Sequence, residues 1–164
     1  MTIRYLKIVL VLSIALLCLM YATQNIVNLE AAHAAIAGVL SMHDNAVYPE
    51  AFGPAVTQPV LVWCAVITII TGEMIAGLLS LKGAWDLWTA RGAPTEAFQS
   101  AKKFALIGGG LAMVVWFGLF GAIGGAYFQM WQTDVGSGSI RDAAFFVLQI
   151  GILLLFVNIR DESL

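Results

Sequence analysis

The chain reads as an all-α polytopic membrane protein: four transmembrane helices in a bundle, with a longer outer loop or an interfacial helix after the first span. Three observations predict this class. Of the 164 residues, 60% are hydrophobic and 11% charged, and mean hydropathy is +0.89, a composition outside that of soluble domains. Four stretches reach or approach the roughly 20 apolar residues that carry a helix across about 30 Å of hydrocarbon. No ten-residue alternation marks a barrel, and lipid offers backbone N–H and C=O groups no partner, so the spans are helices. Residues 1–164 then form one transmembrane domain, with spans at about 5–23, 59–81, 104–128 and 143–159.

The first span opens with Arg4 and Lys7 ahead of an apolar core from Ile8 to Tyr21, which is also the order of a signal peptide. Met20-Tyr21-Ala22 lacks the small residue two before a cut, and Ala32-His33-Ala34 lies too far downstream. Leu17 before Cys18 argues against a lipoprotein box, so the segment is read as a retained span. Residues 24–58 follow as the longest outer segment. In its first half Leu29, His33, Ile36 and Leu40 recur at spacings of three and four, the pattern of a short surface helix or an extension of the first span. From His43 onward Pro49, Gly53, Pro54 and Pro59 break any helix.

The second span, from Pro59 to Leu81, carries Glu73, the only carboxylic acid inside any of the four apolar segments. A charge at mid-membrane costs at least about 2.5–3.5 kcal/mol, so this acid should be neutral, paired or turned to a protein interior. It is the default functional-site candidate. Four roles are open to it: a structural acid bonded to a carbonyl or Thr hydroxyl, a contact to a partner subunit, a proton relay, or an ion or cationic-substrate site. Small multidrug exporters also use four helices and one membrane glutamate, but their chains are shorter and the acid lies in their first helix.

Between the second and third spans, Gly92-Ala93-Pro94-Thr95-Glu96 predicts a short helix capped by Thr95. The third span is rich in glycine. On a regular α-helix Gly118, Gly121 and Gly125 share a face that would let another helix approach. Thr68, Gly72 and Ala76 make a matching smooth ridge beside Glu73, and the two ridges are expected to pack together. The fourth span, 143–159, is the shortest. Trp63 and Trp131 at one level and Trp85 and Trp88 at the other suit interfacial belts.

Seven of the eight Lys and Arg residues flank the termini and the central loop, and only Arg141 falls on the other side. This bias predicts a multi-pass protein of the inner membrane with both termini cytoplasmic. It is topology signal and implies no nucleic-acid partner. The outer segments carry Glu30, Asp44, Glu50, Asp134 and Asp142. Cys18 and Cys64 both lie in apolar segments and form no Cys-x-x-Cys, so they read as small buried hydrophobes. His33, His43 and Asp44, with Tyr127, Trp131, Gln132 and Arg141, make an outer-face candidate site. Their spacing matches no compact metal-ligand pattern, so neither metal nor cofactor is expected. An aromatic belt and an ion pair of Arg141 with Asp142 or Asp134 explain most of this group. No catalytic, phosphate-loop or dinucleotide motif occurs.

Several residue strings together resemble a bacterial family of predicted small integral membrane proteins, domain of unknown function family 2165. They are Leu40-Ser41-Met42 with His43-Asp44, Gly72-Glu73, Gly83-Ala84-Trp85, Trp116-Phe117-Gly118 and Arg141 ahead of the last span. The most distinctive string runs from Gly124-Gly125-Ala126-Tyr127 through Phe128-Gln129-Met130-Trp131-Gln132. Ala126 stands where the family pattern usually has an acidic residue, and His43 interrupts its serine, methionine and aspartate. The resemblance implies four helices and an inner-membrane location, and supplies no activity. Small size, glycine-lined faces and a buried acid in need of a partner point to a non-catalytic accessory, assembly or stabilising subunit of a larger membrane complex, or to a homo-oligomer in the bilayer. The alternative is a small proton- or cation-coupled transporter or channel using Glu73. An enzyme ranks third, because a lone carboxylate with distant histidines makes no persuasive catalytic set.

Overall fold

A computed structural model describes residues 2–48 and 50–161; Pro49, one of the expected helix breakers, lies outside them. The described residues form six α-helices: α1 (Thr2–Val27), α2 (Leu29–Ser41), α3 (Pro59–Thr89), α4 (Thr95–Ala101), α5 (Lys103–Met113) and α6 (Asp134–Asn158). From Val114 to Tyr127 the third span continues as a π-helix, and a 3₁₀ turn at Met130–Gln132 leads into α6. Among the described residues, four helical stretches are long and apolar enough to cross a membrane: α1, α3, α6 and the continuous run Thr95–Tyr127 made of α4, α5 and the π segment. The helix of the second span runs past the expected Leu81 to Thr89, and that of the fourth begins nine residues before Ala143, at Asp134. The reason is that hydropathy marks the part of a helix in lipid, whereas hydrogen bonding continues into the polar flanks.

α3 packs mainly against α1 on one side and α5 on the other, while α6 packs on the third span and touches α1. Small residues allow the closest approaches. A Cβ on Gly108 would stand 2.5 Å from the Ser80 backbone nitrogen and 2.9 Å from the Ala76 carbonyl, and one on Gly83 would collide with the Ala105 backbone. This is the small-residue contact that brings helices together where lipid supplies no hydrophobic drive. Two apolar clusters fill the interior. One joins Val11, Leu87, Phe98 and Val157, and the other joins Ile14, Cys18, Ala76, Trp116 and Ile150.

The π segment changes the phase of the third span. Its i→i−5 bonding, seen where Phe128 N donates to Ile123 O at 3.0 Å, places residues five apart on one face. Gly124 thus sits over the carbonyl of Leu119, and Gly125 over that of Phe120. The expected ridge of Gly118, Gly121 and Gly125 against α3 is corrected accordingly. Gly118 and Gly121 meet only atoms of their own segment and Gly125 faces Ile140 of α6, while the α3 ridge meets the third span at Val115, opposite Gly72, and lower down at Ala105 and Gly108.

α2 is a separate helix, divided from α1 at Asn28 and ended by Met42 in the left-handed conformation. Its stripe faces α3, with Leu40 buried in a cluster with Val62 and Phe128. Thr95 begins α4, but its hydroxyl caps nothing. The first turns of α1 and the residues just after α6 meet at one end of the bundle, the basic end, where Lys7 bonds to Ile159 and Asp161. The opposite end, with Trp63, Tyr127 and Trp131, is the aromatic end.

Candidate functional site

Glu73 is 1% exposed, and its Oε2 accepts a hydrogen bond of 3.0 Å from Asn25 Nδ2. The acid is therefore turned to the bundle interior, between α3 and α1. Asn25 stands two residues before the end of α1, in the stretch that the sequence assigns to the outer segment. Cys18 and Tyr21, lower on α1, lie within electrostatic reach of the same carboxyl. Tyr21 packs edge-on against Trp116 and Phe146, with centroids 6.1 and 5.0 Å away. Gly72 keeps the third span close, since a Cβ there would stand 2.7 Å from Val115 Cγ2, and Ala76 is fully buried one turn below.

A second buried polar cluster lies at the basic end. Lys7 Nζ and Lys102 Nζ both donate to Asp161 Oδ2, at 2.9 and 2.8 Å, and both to the Ile159 carbonyl, at 2.6 and 2.8 Å. The two lysines are 1% and 2% exposed. Arg4 Nη1 donates to the carbonyls of Arg91 and Ala93, and its guanidinium lies over Phe98, 4.6 Å from the ring centroid. The Ile159 carbonyl belongs to the C-cap of α6, where the helix dipole favours cations, and those of Arg91 and Ala93 lie in the loop that follows α3. Burial by itself would raise the Asp161 carboxyl, but the two ammonium groups hold it below the usual carboxylate range. Sequence reasoning missed this cluster because basic residues at span ends serve as topology signal. The one available hint was an aspartate just past the last apolar run.

The outer-face candidates separate into four places. Tyr127, Trp131 and Gln132 come together to hold the loop between α2 and α3. Gln132 Oε1 accepts from the backbone nitrogens of Val47 and Tyr48, both at 2.7 Å, and Gln132 Nε2 donates to the Tyr48 carbonyl. Tyr127 donates to the Pro54 carbonyl, while Tyr48 packs on Trp131 and Phe52 on Tyr127. His33 instead stacks on Trp63, centroids 4.4 Å apart, with its Nε2 buried and without a hydrogen bond among the described residues. His43 and Asp44 form an exposed pair at 3.0 Å. Arg141 is exposed and makes no ion pair within 4 Å among the described residues, so the expected pairing with Asp142 or Asp134 is corrected. Asp134 lies in the first turn of α6, where the helix N-terminus favours negative charge without a basic partner, and Asp142 stands about two turns further on. No cluster of three or more metal-binding side chains occurs among the described residues.

Four apolar helices, a buried acid bonded across two of them and glycine-mediated close packing define a polytopic integral membrane protein. A family model described as "Predicted small integral membrane protein (DUF2165)" matches residues 3–160. The chain belongs to that family. Neither a curated protein nor a solved structure matches it.

Proposed function

We propose that the protein is a non-catalytic accessory, assembly or stabilising subunit of a larger complex in the bacterial inner membrane, with its basic end cytoplasmic. One observation carries this reading: the buried charged groups Arg4, Lys7, Glu73, Lys102 and Asp161 all bond within the chain, and tightly packed apolar residues fill the interior between them. A closed bundle of this kind acts through its surface. α6 is the least covered of the four spans, with 17% of its apolar stretch buried against 28–39% for the others. Phe145, Leu148, Ile152 and Leu155 lie exposed along it. The single side where seven of eight cations lie supports the orientation. The test is gentle extraction of the tagged protein followed by repeated pull-downs. A reproducibly enriched membrane companion, lost when Leu148 and Ile152 are replaced by Ala, is expected. Recovery as a lone monomer would overturn the proposal.

A second reading, a small proton- or cation-coupled transporter, is favoured by Glu73 itself, an acid held within a span beside the Asn25 amide. It requires ion flux in proteoliposomes that disappears in Glu73→Gln. No flux across a broad ion panel would make it untenable.

A further inference from the structure

A cavity of about 360 Å³ lies toward the aromatic end, walled by α2, α3 and the π segment. Its volume falls within the range of small-molecule sites. The walls are apolar: Leu40 on α2, Ile69 on α3 and Phe120 on the π segment face one another across it. The only hydroxyl in the lining, that of Thr68, is already committed to the Cys64 carbonyl at 2.7 Å. Beyond the acceptor capacity left on that hydroxyl, the lining side chains offer a polar ligand no partner, and water would find too few. The mouth can be located from exposure, since Leu61 and Ile123, both lining residues, are 47% and 48% exposed. They belong to spans of an integral membrane protein, so the opening is continuous with the lipid-facing surface. The π-helical register shapes the wall, because Leu119 and Gly124, five residues apart, both line it, and the bare Gly124 lets the Met130 side chain pack into the lining.

We infer that this cavity is a binding site for one acyl chain of a bilayer phospholipid, entering between Leu61 and Ile123 from the leaflet nearer the aromatic end. Three features select that occupant. The walls accept only hydrocarbon, the mouth opens on the bilayer, and the bilayer supplies phospholipid chains in excess over any other apolar ligand. The site is independent of the interior that holds Glu73, and the inference does not rest on an accessory role.

The experiment uses the full chain in phosphatidylcholine vesicles doped with a phosphatidylcholine that carries a photoreactive diazirine on one acyl chain. Label is mapped by peptide mass spectrometry after illumination. Labelling of Leu40, Ile69 and Phe120 is expected, together with Leu148 and Ile152 on the open face of α6. Ala65→Phe, which fills the cavity from its α3 wall, should lose the label on the first group and keep it on the second. Ile123→Trp, which narrows the mouth, should do the same should Ala65→Phe not fold. Absence of label on Leu40, Ile69 and Phe120 while Leu148 and Ile152 are labelled would overturn the inference, as would unchanged cavity labelling in folded Ala65→Phe. Label from a diazirine-bearing free fatty acid but not from the phospholipid would overturn the assignment of the occupant.

Discussion

At the basic end, Asp161 gathers two lysine ammoniums and shares with them the terminal carbonyl of α6; toward the aromatic end, Glu73 accepts one hydrogen bond from a neutral amide. Both acids are buried, at 8% and 1% exposure, yet their surroundings differ in kind. The Asp161 cluster lies where helices end, so exposed carbonyls, helix dipoles and the Phe98 ring compensate the excess positive charge. Around Glu73 the helices run on and their backbone groups are already bonded, leaving only side chains as partners. The difference teaches that charge is buried in quantity only where helix termini supply compensation, and that within a span one acid is matched with one uncharged donor.

The sharpest way to break this comparison is to remove Asp161. Asp161→Ala leaves two buried ammoniums without a carboxylate, and loss of one side of a buried pair costs about 3–5 kcal/mol. Thermal unfolding in detergent should show that loss. The same group sets an acid limb. Its carboxyl binds a proton less readily folded than unfolded, so its contribution is complete above the unfolded value of about 3.9 and is lost as pH falls toward the lower folded value. Asp161→Asn should flatten the acid side of the stability profile.

Next in size come the packing and hydrogen-bond contrasts. Gly108→Leu forces a side chain against the Ser80 and Ala76 backbones and should cost about 1–3 kcal/mol or more. Gly121→Leu has open space beyond its own segment and should stay within about 0.5 kcal/mol. Asn25→Leu strips Glu73 of its donor and should cost about 1–3 kcal/mol. In a Glu73→Leu background the same change should cost clearly less, which a double-mutant cycle measures directly. The smallest effect is expected at Gln132→Ala, which frees Val47 and Tyr48 at an exposed loop. Each lost bond is worth about 0.5–1.5 kcal/mol, and limited proteolysis between residues 45 and 54 should quicken while the melting temperature barely moves.

Much of the fold was legible in the sequence because hydropathy and length alone mark four spans. Glu73 was legible for the same reason, as a carboxylate inside an apolar run. Asn25 was not, because it follows the first apolar core and a polar amide near a span end looks like solvent-facing chain. The glycines of the third span were read on a regular helical wheel, and no residue pattern announces fourteen residues of π-helix. The basic end was half legible. Arg4, Lys7 and Lys102 were placed on the correct span ends, but their joint burial with Asp161 depends on how α1, α5 and the end of α6 converge. The aromatic string of the third span reads as an interfacial belt, whereas Tyr127, Trp131 and Gln132 mainly hold the long loop in place.

Glu73 is satisfied inside its own chain, by Asn25. The most direct test is the carboxyl stretch of Glu73 in lipid, isolated by infrared difference between wild type and Glu73→Gln and followed on Asn25→Leu. The account predicts that this band shifts when Asn25 loses its amide, in protein that remains monodisperse. A Glu73 band identical in wild type and Asn25→Leu would contradict it and place the partner of the acid outside this bundle.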